Sequence, residues 1–271
     1  MVLQAEEGLL TTPSARILVA TAVPAERDAV ARAFSSPDSQ DSPDSPDSPD
    51  SPDSPVEQIW QPGAGLTRTT RTAGVWDLLD AGVGPARAAA SVSAALTAAR
   101  LAGTPYDLVV SAGIGGGFQP EAPVGSLVVA RRITVADLGA ETADGFLPVT
   151  ELGFGTVHHY PPRSLVRVAC QATGAPAGTI LTVSTVTGTA ARAAELRARH
   201  PQALAEGMEG FGVAEAADAH GTAVLEIRAV SNPVGPRDRA AWRIGDALTA
   251  LTEAFGKLAP ALESWNRHDD Q

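Results

Sequence analysis

The stretch Tyr106–Ala112, YDLVVSA, runs without a break into Gly113-Ile114-Gly115-Gly116-Gly117. A short apolar run with β-branched residues and no helical period predicts a strand buried on both faces. Such a strand needs helices above and below it, which points to an α/β layer architecture. Four glycines in five positions at its C-terminal end permit close approach of the backbone to a ligand, or left-handed turns. Because fixing four glycines costs so much conformational entropy, we favour the ligand.

The rest of the chain supplies partners for that strand. Arg16–Ala22, RILVATA, reads as a second buried strand, and Pro24 suits the first turn of a helix with Val23, Val30 and Phe34 on its apolar face. Glu57–Trp60, Thr67–Ala73 and Val75–Asp80 read as successive antiparallel strands. A Gly turn then opens an Ala-rich helix, Ser126–Asp137 reads as a strand, and the Gly- and aromatic-bearing segment Leu138–Pro162 reads as a mobile loop covering substrate. A helix is expected over Arg163–Ala172, a strand over Thr179–Val186 and a helix over Ala190–Arg199. A further helix opens on Met208-Glu209, and a strand follows over Thr222–Ser231. A last helix over Arg239–Leu258 carries Trp242, Leu248, Leu251 and Phe255 on one face. The expected fold is a three-layer α/β/α sandwich on a mixed sheet.

We expect one domain over residues 1–271, since 44% hydrophobic content supports a sizeable core. Residues 36–55, a Ser-Pro-Asp repeat with no apolar side chain, are expected to be a disordered insert. The formal charge of −11 argues against nucleic acid as a partner, although six Asp between Asp38 and Asp53 supply much of it. The lone Cys170 rules out an internal disulfide and suits a reducing cytoplasm. No apolar run is long enough for a membrane span, so the expectation is a cytoplasmic protein.

Three polar residues stand where open α/β sheets bind small molecules, at strand ends and helix starts. These are Glu26, Glu209 and Asn232. Taken singly, each is also explained by helix-start or turn preferences. Gly82-Val83-Gly84 begins like a dinucleotide fingerprint, but Arg87 fills the place of the third Gly and no acidic residue follows at the required distance, so a nicotinamide enzyme is set aside. Adjacent His158 and His159 point apart on any regular element, which argues against a metal site.

In order along the chain, ILVATAVPAE, AGVGPARAAA, VVSAGIGGG, VGSLVVA, PQALAEGMEGFGVA and IRAVSN resemble the signatures of the nucleoside phosphorylase and nucleosidase superfamily. GMEGFGVA and IRAVSNPVGPRDRAAWRI resemble its futalosine hydrolase branch. The resemblance covers Arg16 to about Leu258, outside the insert. It implies an N-glycosyl hydrolase that releases hypoxanthine from futalosine in menaquinone biosynthesis, without cofactor or metal, as a homo-oligomer. By the same resemblance Glu26 activates water, Met208 and Glu209 bind ribose, Gly115 and Gly116 lie along the nucleoside, and Val186 stands where relatives place an aromatic ring. Adenine-releasing relatives carry Asp in place of Asn232. An amide can donate towards N7 and a 6-oxo group, which favours a 6-oxopurine, although it can also pair with adenine. Neither Thr21–Pro24 nor Ile114–Gly117 offers Arg, Ser or His for phosphate, so water is the expected nucleophile; Arg87 is a reserve. Arg163, Arg237 and Arg239 are candidates, unranked, for an aromatic carboxylate on the 5′ side. The alternatives are a nucleosidase or phosphorylase for another purine nucleoside, or a silent nucleoside-binding protein.

Overall fold

The computed structural model describes residues 15–35, 57–61, 64–71 and 73–265; the insert at 36–55 lies outside the described residues. The expected central strand is β5, Leu108–Gly117, with β1, Ala15–Thr21, parallel on one side and β12, Ala223–Pro233, parallel on the other. Beyond β1 lies β4, Gly74–Asp80, and then β3, Ala64–Thr70, and β2, Glu57–Gln61, continue as an antiparallel meander. Beyond β12 come β6, Leu127–Val135, antiparallel to it, then β10, Ala177–Thr182, and β11, Ala203–Gly207. The sheet is mixed, as expected.

One half of the sheet closes on itself. Ala205 and Glu206 of β11 pair antiparallel with Gly117 and Gly116 of β5, so β5, β12, β6, β10 and β11 form a ring. The glycine string makes this closure possible: a Cβ on Gly115 would stand 2.5 Å from the Glu206 carbonyl oxygen, and one on Gly117 would collide with the Ala122 carbonyl. These glycines are extended strand residues, and the left-handed alternative applies instead to Gly82 and Gly84, each with φ of 89°.

Helices cover both faces. α2, Pro85–Leu101, and α5, Gly210–Ala219, pack together over one face through residues such as Val92, Leu96 and Val213. α1, Pro24–Arg32, α3, Arg163–Thr173, and α6, Ile244–Glu263, cover the other. There Phe255 meets Trp76 edge-on with ring centroids 6.4 Å apart, and half-buried Cys170 packs against the same cluster. α4, Ala190–Arg199, has the expected bounds, with the Thr189 side chain capping it through Arg192 N–H.

Several expected boundaries shift. β11 falls where no element was expected, because Gly207 and a run of small residues hide a five-residue strand. The expected strand Thr179–Val186 ends at Thr182. The last helix starts at Ile244: Asp238 Oδ1 accepts the Ala240 N–H and caps a separate 3-10 turn, Arg239–Ala241, which leaves Trp242 extended and off the helix face. Leu138–Pro162 is ordered by pairing, as the hairpin β7, Gly139–Thr142, with β8, Gly145–Pro148, and as β9, His158–His159, on β6.

α5 approaches α2 so closely at Gly212 that a Cβ would collide with the Pro85 carbonyl. Backbone cannot yield there, so the collision outweighs the ~1 kcal/mol by which Ala favours a helix over Gly. We expect Gly212→Ala to lower stability by about 1–3 kcal/mol, read as a fall in the urea midpoint at unchanged m-value.

Candidate active site

The C-terminal ends of β1, β5, β11 and β12 converge on one pocket, and all seven sequence-predicted site residues line it. Glu26, Gly115 and Gly116 come from the α1 start and from β5. Met208 and Glu209 follow β11, Asn232 sits near the end of β12, and Val186 stands at the exposed rim after β10.

Glu26 is not the solvated helix-start carboxylate that its position in α1 allows. Its residue is 4% exposed, its Oε2 accepts the Ala22 N–H at 2.9 Å, and its Oε1 accepts the Ile114 N–H at 2.8 Å. Burial pushes its pKa above the ordinary carboxylate value, and the nearby Arg228 charge and the two backbone donors oppose that rise. A buried, oriented carboxylate with raised pKa in a cleft has the properties of a general base.

Glu209 precedes the first turn of α5. Its Oε1 accepts the Gly84 N–H at 3.3 Å, and its Oε2 accepts from Arg228 Nη1 at 3.1 Å. The Gly82–Gly84 turn therefore serves a carboxylate, with Gly84 in a left-handed conformation that favours glycine. Arg228, 1% exposed, also donates through Nε to Glu226 Oε1 at 3.0 Å and through Nη2 to Ser111 Oγ at 3.3 Å. Burial works against the guanidinium charge, but Glu226, Glu209 and Glu26 outweigh it and hold its pKa above the usual value. Burial pushes the Glu226 carboxyl up despite Arg228, and its Oε2 has no hydrogen-bond partner among the described residues.

At the other end of the pocket the Ser231 hydroxyl donates to Asn232 Oδ1 at 2.8 Å, and Asn232 Nδ2 donates to the Pro233 carbonyl at 3.0 Å. That orientation leaves the second Nδ2 hydrogen for a ligand acceptor. Opposite, Glu206 is buried and lines the pocket with Thr187.

Sequence reasoning missed Arg228, Glu206, Ser111, Thr187 and Trp242. Glu226 and Arg228 occupy alternate positions of an apolar strand, and a charge pair sharing one buried strand face is a signal that could have been read. Glu206 was hidden with β11, and Trp242 with the misplaced helix start.

Other expectations separate from the pocket. Segment 138–162 contributes no residue to it, so the covering role is not met within the chain; pairing with β6 and the bond from Val135 N to Val157 O hold its end elsewhere. His158 Nδ1 meets Thr134 Oγ1 at 3.0 Å and His159 Nε2 meets Glu215 Oε1 at 2.7 Å, two different partners. Arg163 borders a second cavity with Arg131 and Arg132. Arg87 packs against Gly82 and is not on the pocket wall. Arg237 stacks on Trp242, 5.6 Å from the ring centroid, and Trp242 lines the pocket.

The fold and the strand-end pocket agree with a match to the model of the phosphorylase superfamily over residues 57–262. At TM-scores of 0.74 and 0.70 the chain is similar to two solved structures from Helicobacter pylori, a 5′-methylthioadenosine/S-adenosylhomocysteine nucleosidase and a futalosine hydrolase. They are 15% and 16% identical to it, and each alignment covers 92% of this chain, with 99% and 97% of theirs. Their likeness concerns the fold. A futalosine hydrolase from Streptomyces coelicolor is 70% identical over 93% of this chain and 99% of its own length, and one from Acidothermus cellulolyticus is 44% identical over 92% of each. The chain belongs to the futalosine hydrolase family of the phosphorylase superfamily.

The raised Glu26 pKa has a kinetic signature. Its base form is lost on acidification, and a raised pKa places that loss at higher pH than for an ordinary carboxylate. We expect the acid limb of kcat/KM to lie above pH 4.5, the unshifted value, and to be absent from any residual activity of Glu26→Gln.

Proposed function

We propose that this protein hydrolyses the N-glycosidic bond of futalosine, releasing hypoxanthine and dehypoxanthine futalosine in menaquinone biosynthesis. The observation that carries hydrolysis is the charge of the pocket wall. Glu26, Glu206 and Glu209 line it, and among the described residues no Arg, Lys or His does. A phosphate dianion requires donors and positive charge, and this wall would repel it. The same wall favours the cationic, oxocarbenium-like transition state of glycoside cleavage. Family membership supplies the substrate.

In this reading the C1′–N9 bond breaks with its electron pair going to the purine, and a water oxygen bonds to C1′ while Glu26 takes a water proton. That proton is returned through solvent to the purine anion, which leaves as hypoxanthine with Glu26 again a carboxylate. Glu209 accepts the vicinal ribose hydroxyls and Met208 forms an adaptable apolar wall beside them. Gly115 and Gly116 let the nucleoside lie close to β5, and Val186 borders the base. Asn232 Nδ2 donates to N7 or O6 as negative charge develops on the leaving base, which is its catalytic part. No cofactor enters the step.

Of the three arginine candidates, Arg237 is supported by its stacking on Trp242 at the pocket, and we assign it the carboxylate of the 5′ substituent. We also infer that the chain acts as a single nucleosidase domain in the cytoplasm. No helix among the described residues is long and apolar enough to cross a membrane. A homo-oligomer is supported by the exposed Leu152, Phe154 and Tyr160, apolar surface outside the pocket.

The test follows free hypoxanthine from futalosine and from inosine, with and without phosphate. We expect phosphate-independent release from futalosine; phosphate-dependent release would reject hydrolysis. Glu26→Gln should lower kcat by about 10²–10⁴-fold with modest change in affinity, and near-normal turnover would remove Glu26 from its role.

A further inference from the structure

Glu206 is a buried carboxylate on the pocket wall that the mechanism above leaves unused. It takes its position from β11, where it is the register partner of Gly116 on β5. Asn232 on β12 is the register partner of the same glycine from the other side. Adjacent strands lie about 4.8 Å apart, so an amide and a carboxylate flank Gly116, which has no side chain to separate them. A Cβ on Gly116 would stand 3.5 Å from Asn232 Nδ2 and 2.8 Å from Val234 Cγ2. The Val234 methyl fills the space directly over Gly116, and a flat ring packed against Val234 in this pocket would meet Asn232 at one edge and Glu206 at the other.

The partners of Glu206 define what it can offer. Its Oε1 accepts the Thr187 N–H at 2.9 Å, and its Oε2 accepts the Thr187 hydroxyl. With both oxygens accepting, the group presents only lone pairs to the pocket. Burial raises its pKa and the two Thr187 bonds oppose that rise. A 6-oxopurine carries a hydrogen on N1, whereas a 6-aminopurine carries a lone pair there.

We propose that Glu206 is a specificity-determining residue, whose carboxylate accepts the N1–H of a 6-oxopurine and repels the N1 lone pair of a 6-aminopurine. This rests on the reading of the pocket as a nucleosidase site. It supplies the discrimination that Asn232 alone lacks, because an amide pairs with either purine. Sites built to hydrogen-bond a particular group reject analogues lacking it by large factors, since the buried polar partner is left unpaired or opposed.

The experiment compares kcat/KM of the wild type and of Glu206→Gln on futalosine and on its 6-amino counterpart. The wild type should prefer the 6-oxo substrate by about 10²-fold or more. Glu206→Gln, whose amide can turn an N–H towards N1, should bring the two within about 10-fold by losing rate on the first and gaining on the second. An equal fall on both substrates, with the preference intact, would reduce Glu206 to an anchor for Thr187 and overturn the proposal. A second measurement needs no variant: hypoxanthine should bind the wild type at least about 10-fold more tightly than 1-methylhypoxanthine, and equal binding would overturn the proposal. Absence of any turnover of futalosine by the wild type would instead reject the proposed function, and the binding comparison would still judge Glu206.

Discussion

Arg228 sits in the middle of the fold, on β12, and its charge has to be balanced where no water reaches. Removing a guanidinium from water costs several kcal/mol, which only close carboxylates with good geometry offset. Glu226 from the same strand and Glu209 from the start of α5 make direct ion pairs with it, and Glu26 from α1 lies within its field. Three separate segments are thereby tied to one cation. Glycines make the room: a Cβ on Gly113 would stand 2.7 Å from Glu26 Oε1 and 2.8 Å from Arg228 Nη1, and one on Gly207 would stand 2.9 Å from Arg228 Cζ.

The network explains why the pocket is acidic without being repelled open. Glu26 and Glu209 line the pocket and Arg228 does not, so the two carboxylates are held in place by a cation outside the pocket wall. In the proposed reading such a wall would stabilise a cationic sugar and offer no counter-charge to phosphate. Ring closure of the sheet at β5 and β11 brings Glu206 and Asn232 to either side of Gly116, the end that the proposal assigns to the base.

Much of this was legible in the residues. The buried strands around 16–22 and 106–112, the helix 190–199, the glycine string and the polar Glu26, Glu209 and Asn232 carry local signals, namely apolar runs, glycine clusters and polar residues at strand ends and helix starts. Met208 and Val186, by contrast, came from the family resemblance alone. The closure was not legible, because pairing between β5 and β11 is non-local and Ala203–Gly207 lacks β-branched residues. Trp242 was drawn into a helix by periodicity, although Asp238 caps a separate turn just before it. The glycine string was read as making room for a ligand; it makes room mainly for the Glu206 carbonyl, Ala122 and Arg228, and two of its members still line the pocket. Segment 138–162 looked like a cover because its composition is loop-like, yet strand pairing directs it to another edge.

The most direct test is a crystal structure of Glu26→Gln with intact futalosine bound. The account predicts the Glu209 oxygens within hydrogen-bond distance of both ribose hydroxyls, residue 26 next to a water on the C1′ face opposite the purine, and the purine edge between Asn232 and Glu206. Ribose hydroxyls held by another residue, or a purine turned away from Asn232, would contradict it.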